Sequence, residues 1–254
     1  MILITYKKIP LYGICFFLGI ILAVSFSFFL RKRKKIQIFD FLSAVAYILL
    51  GALAGAKILF LIVSWREIVR LQLTFVEIMK GGFVFYGGLL GGLLGLFIYS
   101  KQFKENFFEY ADIFAVSLPL GHSLGRLGCL FAGCCYGTEY SGLGCIIYES
   151  SYNIHTPIGV PLLPLQAIEA VLLILLFVIL LAFYLKYKKS GLCSIVYLQS
   201  YAALRFILEF FRGDIERGIL FSISVSQWIS IVVFLTVTIF LIKKHLKNRK
   251  PKNF

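Results

Sequence analysis

The residues best suited to chemistry lie in one stretch, 121–137, with the sequence GHSLGRLGCLFAGCCYG. It places one arginine, one histidine, three cysteines and five glycines at the end of a strongly apolar segment. An arginine beside hydrocarbon is costly, so Arg126 is interpreted as functional rather than as a side chain that reaches the interface. The glycines allow close backbone approach and departure from helical geometry. The stretch therefore predicts a polar pocket in a membrane protein, centred on Arg126.

A second charged cluster lies near the end of a later apolar run. Arg205, Glu209 and Arg212 are spaced four and three apart, which puts them on one helix face. Such a face must pair internally or line a wet cavity. The three charges sum to a net positive charge, and arginine donors fit phosphate oxygens. A phosphate site and a self-neutralising structural triad both remain open.

Other polar side chains are predicted to complete the pocket. Gln166 and Glu169 share a helix face, while Tyr12 and Gln227 begin the first and last apolar runs. Tyr86 lies in a glycine-rich run whose small residues also favour simple close packing of helices.

The cysteines leave several interpretations open. Cys129, Cys134, Cys135 and Cys145, with His122 and His155 nearby, can form a disulfide, a metal site or a reactive thiol beside Arg126. Buried packing thiols are the simplest interpretation. No C-x-x-C spacing is present, and adjacent Cys134 and Cys135 are poorly placed to ligate one ion, so we predict no metal and no cofactor.

Composition restricts the fold class to an all-α polytopic membrane protein. The chain has 254 residues, is 60% hydrophobic and has a mean hydropathy of +0.90. The formal charge of +14 is concentrated in short loops at 31–35, 101–104 and 186–189 and in the tail at 243–252. This distribution follows the positive-inside rule, and we predict no nucleic-acid partner.

Runs of about 20 apolar residues predict seven transmembrane helices. Their ranges are 11–30, 39–63, 81–100, 110–132, 161–184, 191–211 and 222–242. The basic loops place the N-terminus outside and the C-terminus in the cytoplasm. The segment 64–80 is predicted to lie along the interface, and 133–160 is the longest outer connection. We predict a single domain, 1–254, with a basic cytoplasmic tail at 243–254.

Taken in order, these motifs resemble the prolipoprotein diacylglyceryl transferase family of bacterial membrane enzymes. The resemblance rests on Gly125-Arg126-Leu-Gly128 with Gly133 and Tyr136-Gly137, and on Arg205-Phe206 with Glu209-Phe-Phe-Arg212. The Tyr12-Gly13 pair, the glycines around Tyr86, Pro164 with Gln166 and Glu169, and Gln227 also match in order. Four departures stand out. The chain has Cys129, Ala132 and Cys134 where the family has two asparagines and a glutamate, and Tyr86 where it has a histidine.

The resemblance implies transfer of diacylglyceryl from phosphatidylglycerol to the lipobox cysteine of a preprolipoprotein signal peptide, within the lipid bilayer of the bacterial cytoplasmic membrane. The implied catalytic residues are Arg126, Arg212, Glu209, His122 and Tyr86, with His122, Tyr86 and Glu209 the candidate bases in that order. The implied substrate-binding residues are Arg126, Arg205, Tyr12, Gly128, Gly133, Gln166, Glu169 and Gln227. Two alternatives stay open: the same fold with another acceptor or lipid donor, and a non-catalytic membrane protein that binds an anionic lipid or small molecule.

Overall fold

The protein is described here from a computed structural model, which covers residues 2–4, 11–72, 74–80, 82–151, 153–214, 219–221 and 223–249. Helices dominate these ranges. They are α1 (Leu11–Leu30), α2 (Ile38–Val63), α3 (Trp65–Arg70), α4 (Phe75–Lys80), α5 (Phe85–Gln102), α6 (Phe107–Ala132), α7 (Leu165–Lys186), α8 (Leu192–Leu208) and α9 (Val225–Arg249). Short 3₁₀ turns follow α1 at Arg31–Lys34 and α8 at Glu209–Phe211.

Six helical segments in the described part of the chain are long and apolar enough to cross a membrane, which confirms a polytopic membrane protein. They are Leu11–Lys34, Ile38–Val63, Phe107–Ala132, Leu165–Lys186, Leu192–Phe211 and Val225–Lys243. The predicted span at 81–100 is not among them. Its helix, α5, has only 18 residues, contains five glycines and ends with Lys101 and Gln102, which lowers its apolar character. Positions 81, 222 and 250–254 of the predicted spans and tail lie outside the described residues.

The start of the fifth predicted span is also corrected. Pro161 and Leu162 form a short strand, and α7 begins only at Leu165, directly after Pro164. Proline lacks the N–H that a helix interior needs but fits a helix start. The segment 64–80, which the sequence predicts to lie along the interface, contains the short helices α3 and α4. Thr74 and Glu77 form a capping box at the start of α4, with the Glu77 carboxylate accepting from the Thr74 N–H at 2.8 Å.

The chain divides into two compact units, and residues 28–113 form one of them. Its main contact is a close crossing of α2 and α5. A methyl group added to Gly91 would lie 2.1 Å from the Gly51 carbonyl oxygen, and one added to Gly87 would lie 2.3 Å from the Gly55 oxygen. The glycine-rich run around Tyr86 therefore serves close helix packing within this unit, as its small residues predict.

Residues 1–27 and 114–254 form the other unit, which contains the charged clusters. Within it, α1 and α6 cross at Gly19 and Gly121, where an added methyl on either glycine would lie 2.5 Å from the carbonyl oxygen of the other. The Ser27 and Ser117 hydroxyls form a hydrogen bond between the same helices. This contact fixes α6, and so its functional end, against α1.

A small sheet covers the end of α6. The strands β1 (Ile2–Ile4), β2 (Ile146–Tyr148) and β3 (Pro161–Leu162) lie in that order, with β1–β2 parallel and β2–β3 antiparallel. Tyr136, Ile146, Tyr148 and Leu162 form its buried core. The hairpin of β4 (Ile219–Leu220) and β5 (Ile223–Ser224) precedes α9. Strands of two or three residues leave no periodic pattern, so the sequence did not predict β2 within the outer connection 133–160.

Candidate active site

The site begins with two side chains one turn apart on α6. The Nε–H of Arg126 donates to Nε2 of His122 at 3.2 Å, and the same nitrogen lies 3.0 Å from Oε1 of Glu169 on α7. The His122 ring meets Tyr201 of α8 edge to face, with the ring centroids 5.5 Å apart. Three helices therefore hold the Arg126 side chain in place.

The ion pairs continue from Glu169 to the end of α8. Oε2 of Glu169 lies 3.8 Å from Arg205, and Nη2 of Arg205 lies 2.7 Å from Oε2 of Glu209. The same Glu209 oxygen lies 3.6 Å from Arg212, whose Nε donates to Asp214 at 2.8 Å. Positive and negative groups thus alternate along one continuous chain, here called the charge chain: Arg126, Glu169, Arg205, Glu209, Arg212 and Asp214.

The charge chain corrects the charge balance expected from the sequence. The spacing of Arg205, Glu209 and Arg212 gave a net positive stripe, but the structure adds Arg126, Glu169 and Asp214. Three arginines now face three carboxylates, so the chain is formally neutral. Glu169 and Glu209 are 2% and 3% exposed, and carboxylates so buried require positive partners.

Backbone pairing brings Arg212 to the segment that follows α6. Gly137 and Arg212 form an antiparallel bridge, the Thr138 N–H donates to Phe211 O at 2.9 Å, and the Gly213 N–H donates to Tyr136 O at 3.0 Å. A methyl group on Gly137 would lie 2.7 Å from Leu163, so this position requires glycine. The last arginine of the charge chain and the cysteine segment therefore adjoin.

The cysteine segment begins as a Schellman motif that ends α6. Gly133 has a φ of +76°; its N–H donates to Leu130 O at 3.4 Å, and the Cys134 N–H donates to Cys129 O at 3.2 Å. In this motif the N–H of the second residue after the helix donates to a carbonyl oxygen in the last turn. The side chains of these two residues often contact each other. Here both side chains are thiols, so the motif itself brings Cys134 to Cys129.

Cys135 joins the same cluster. The sulfur atoms of Cys129, Cys134 and Cys135 all lie within 4.8 Å of one another. The sequence predicts that adjacent Cys134 and Cys135 are poorly placed to ligate one ion, yet the structure brings their sulfur atoms close together. The backbone of Cys135 is left-handed at this point, with a φ of 58°. All six cysteines, including Cys145, are free thiols.

The environment of the cluster favours a thiolate at Cys135. Hydrogen bonds from Cys129 and Cys134 lower the pKa of the Cys135 thiol against the opposing effect of burial, and the positive charges of Arg212 and Arg126 lower it further. The hydrogen bonds that Cys134 makes with Cys129 and Cys135 raise the pKa of Cys134.

Gln166 connects α7 to the same segment. It is 1% exposed, and its amide nitrogen donates to Cys134 O at 2.8 Å and lies 3.4 Å from the Tyr148 hydroxyl. Tyr148 in turn donates to Leu130 O at 2.9 Å. Among the residues described, nothing donates to the Gln166 side-chain oxygen. A buried acceptor in this state is suited to a ligand.

The remaining predicted residues occupy varied positions. Gly128 packs on the α1 backbone, where an added methyl would lie 3.3 Å from Tyr12 O, while the Tyr12 side chain is 48% exposed. The Gln227 side-chain oxygen accepts from the Ser224 N–H at 3.0 Å, and Ser224 Oγ accepts from the Gln227 N–H at 3.1 Å. This capping box gives Gln227 a structural task at the start of α9. Tyr86 lies in the first turn of α5, in the unit formed by residues 28–113.

Sequence reasoning missed three residues that the structure adds to the site. Asp214 pairs with Arg212, Ser226 Oγ lies 3.4 Å from Arg205 Nη2, and Tyr148 contacts Gln166. Of these three, only Asp214 could have been found from the sequence, because it is a charged residue two positions after Arg212. Tyr148 lies in a short strand of a loop, and Ser226 is an ordinary first-turn serine.

Comparison with known proteins identifies the family of this chain. The sequence model of the family described as prolipoprotein diacylglyceryl transferase matches residues 1–243. Over 244 residues, 96% of this chain and 94% of the relative, the chain is 34% identical to phosphatidylglycerol–prolipoprotein diacylglyceryl transferase 2 of Clostridium perfringens. It is 32% identical to the Clostridium tetani transferase over 249 residues, 95% of this chain and 96% of the relative. It is 30% identical to that of Dehalococcoides mccartyi over 245 residues, 95% and 92% of the two chains. The chain belongs to the prolipoprotein diacylglyceryl transferase family.

Proposed function

We propose that this protein transfers the diacylglyceryl group of phosphatidylglycerol to the lipobox cysteine thiol of a preprolipoprotein signal peptide. The observation that carries the proposal is the charge chain, in which Arg126, Arg205 and Arg212 are held by buried carboxylates in one row. The thiol sulfur attacks the glyceryl carbon, the bond from that carbon to the phosphate oxygen breaks, and glycerol phosphate leaves with the electron pair. The departing phosphate needs fixed positive charge, which the arginines supply.

The neutrality of the charge chain sets a condition on phosphate binding. An incoming phosphate must replace a carboxylate partner of at least one arginine. Arg212 is the best placed, since its partner Asp214 lies on the segment after α8 and its side chain is 15% exposed, against 1% for Glu209. We assign Arg212 and Arg126 to phosphate binding. Arg205 would hold the carboxylates of Glu169 and Glu209 in position.

His122 is the proposed base for the acceptor thiol, with Tyr86 and Glu209 as further candidates. Its Nε2 accepts from Arg126, so the lone pair that would take the proton is occupied in the resting site. When Arg126 turns to the phosphate, Nε2 becomes available. Phosphate binding and thiol activation would then be coupled through Arg126.

The remaining predicted contacts concern substrate binding. Gln166 offers its buried side-chain oxygen, and Glu169 orients Arg126 and Arg205. Gly128 would support substrate binding by allowing α6 to pack closely on α1, and Gly133 by allowing the turn that ends α6. Tyr12 and Gln227 would flank the entry of the lipid.

We propose a single seven-span domain in the bacterial cytoplasmic membrane, with the N-terminus outside and the C-terminus in the cytoplasm. The basic segments at 31–35, 101–104, 186–189 and 243–252 support this orientation. The seventh span would be α5, whose 18 residues extend about 27 Å, close to the thickness of the hydrocarbon core.

The test incubates the purified protein with labelled phosphatidylglycerol and a lipobox peptide and follows the peptide mass. We expect a diacylglyceryl adduct on the cysteine and stoichiometric release of glycerol phosphate. A peptide with serine in place of cysteine should stay unmodified. Binding of phosphatidylglycerol without any adduct would contradict the proposal and favour the non-catalytic alternative.

A further inference from the structure

The cysteine cluster forms a set of metal donors that the proposed reaction does not use. Tetrahedral zinc with Zn–S bonds of about 2.3 Å requires sulfur atoms about 3.8 Å apart. The three sulfurs lie within 4.8 Å of one another, so small side-chain rotations bring them to that spacing. They sit on a helix end whose geometry is fixed by the Schellman motif.

The surrounding backbone is held firmly enough to support a preformed site. The Ser151 hydroxyl donates to Ala132 O at 3.0 Å, and the Thr156 hydroxyl donates to Gly133 O at 2.8 Å. Gln166 binds Cys134 O from the opposite side. Hydrogen bonds to the backbone that carries the ligands fix ligand geometry, which raises metal affinity.

The number of ligands in the cluster indicates which kind of zinc site it would form. Among the described residues, no fourth histidine, cysteine or carboxylate joins the cluster. Three protein ligands with one open position are typical of catalytic zinc rather than structural zinc.

We propose that Cys129, Cys134 and Cys135 bind one Zn²⁺ ion, and that its open position takes the thiol of the acceptor cysteine as a thiolate. The second half of this proposal rests on the proposed function. On binding, the acceptor S–H loses its proton to solvent or to His122, and a Zn–S bond forms. The sulfur then bonds to the glyceryl carbon, the carbon–oxygen bond to phosphate breaks, and the thioether leaves the metal. No oxidation or reduction occurs.

The metal half is tested on the full-length protein in detergent, without reference to activity. Protein stripped with a chelator under reducing conditions is reloaded with Zn²⁺ and desalted, and bound metal is measured by mass spectrometry. We expect about one equivalent per chain. Cys129→Ser, Cys134→Ser and Cys135→Ser should each lose most of it, whereas Cys145→Ser, a buried thiol of the same connection, should retain it.

Thermal unfolding of each variant separates lost ligands from lost folding. If the wild-type protein retains no zinc, or if Cys145→Ser loses as much as the cluster variants, the metal site is wrong. Three thiols that only pack together, or that oxidise to a disulfide once the reductant is removed, would give this result.

The acceptor half is tested with Co²⁺ in the same site. Adding a lipobox peptide should strengthen the sulfur-to-cobalt charge-transfer absorption, and its serine counterpart should not. An unchanged spectrum would overturn the acceptor role while the three-thiol site stands. Absence of diacylglyceryl transfer despite normal cobalt spectra would instead overturn the proposed function, so the two failures are distinguishable.

Discussion

Replacing Gly133 with alanine should test whether the end of α6 builds the site. In the structure the added methyl would lie 2.1 Å from Ser151 Oγ and 2.8 Å from Thr156 Oγ1. The Ser151 and Thr156 hydroxyls donate to the carbonyl oxygens of Ala132 and Gly133. The clash therefore disturbs the Schellman motif that ends α6. The φ of +76° adds strain for any residue other than glycine.

The expected cost has two parts. A left-handed alanine costs about 1–2 kcal/mol, and overpacking against the two hydroxyls costs about 1–3 kcal/mol. Gly144→Ala is the matched control, because Gly144 has a φ of +81° and nothing within 4 Å of an added methyl. Gly144→Ala should therefore lose only the free energy that the left-handed backbone costs. The difference in free energy of unfolding between the two variants then measures the clash with the two hydroxyls.

The assay is thermal unfolding in detergent, followed by the fluorescence of Trp65 and Trp228, the two tryptophans of the chain. At roughly 2–4 °C per kcal/mol, Gly133→Ala should melt several degrees below Gly144→Ala. It should also lose transferase activity and zinc, since Cys134 and Cys135 follow the distorted turn. Equal melting temperatures with full activity in both variants would refute this account of the site.

Three further predictions follow from buried contacts. Glu169→Gln removes the negative charge that pairs with Arg126 and Arg205, which should lower the free energy of unfolding by about 3–5 kcal/mol. Thermal unfolding measures this loss, and unchanged stability would show that the charge chain is dispensable. Gln227→Ala should cost about 1 kcal/mol through loss of the capping box, and Gln227→Glu should restore it. Unchanged stability of the Gln227→Ala variant would contradict the structural role of this capping box. Gly91→Val should prevent the crossing of α2 and α5, because its side chain would meet a backbone carbonyl at about 2 Å; normal expression and melting would contradict that packing.

Arginine and carboxylate spacing predicted part of the site correctly. Arg205 pairs with Glu209, and Glu209 with Arg212, at the four- and three-residue spacings that the sequence shows. The ion pairs form at these spacings, but the prediction that all three residues share one helix face is wrong for Arg212. Helix α8 ends at Leu208, Glu209 lies in the 3₁₀ turn, and Arg212 follows it in extended backbone. The link from Glu169 to both Arg126 and Arg205 joins three separate helices, and no local pattern encodes it.

The cysteine cluster shows where sequence reasoning reached its limit. Adjacent side chains normally diverge, which led to the expectation that Cys134 and Cys135 are poorly placed to ligate one ion. The structure brings their sulfur atoms within 4.8 Å of each other, with Cys135 in the left-handed backbone region. Gly133 directly after an apolar helix was a readable signal for a Schellman end, whereas a non-glycine residue in the left-handed region gives no comparable signal.

The fold could likewise be predicted from the sequence only where the signal is local. Of the seven spans predicted from long apolar runs, six correspond to helices in the described residues that are long and apolar enough to cross a membrane. In the sheet over the end of α6, β1 pairs with a strand more than a hundred residues away, as Ile2 does with Ile146. Pairings at that distance leave no trace in a local window.

The central claim is that Arg126 supplies fixed positive charge to a departing phosphate. The most direct measurement is the rate of glycerol phosphate release from phosphatidylglycerol in the presence of lipobox peptide, for the wild-type protein, Arg126→Ala and the exposed control Arg70→Ala. We predict that Arg126→Ala lowers the rate by at least about 10²–10³-fold. Arg70→Ala should leave it unchanged. Full activity in a folded Arg126→Ala protein would contradict the account.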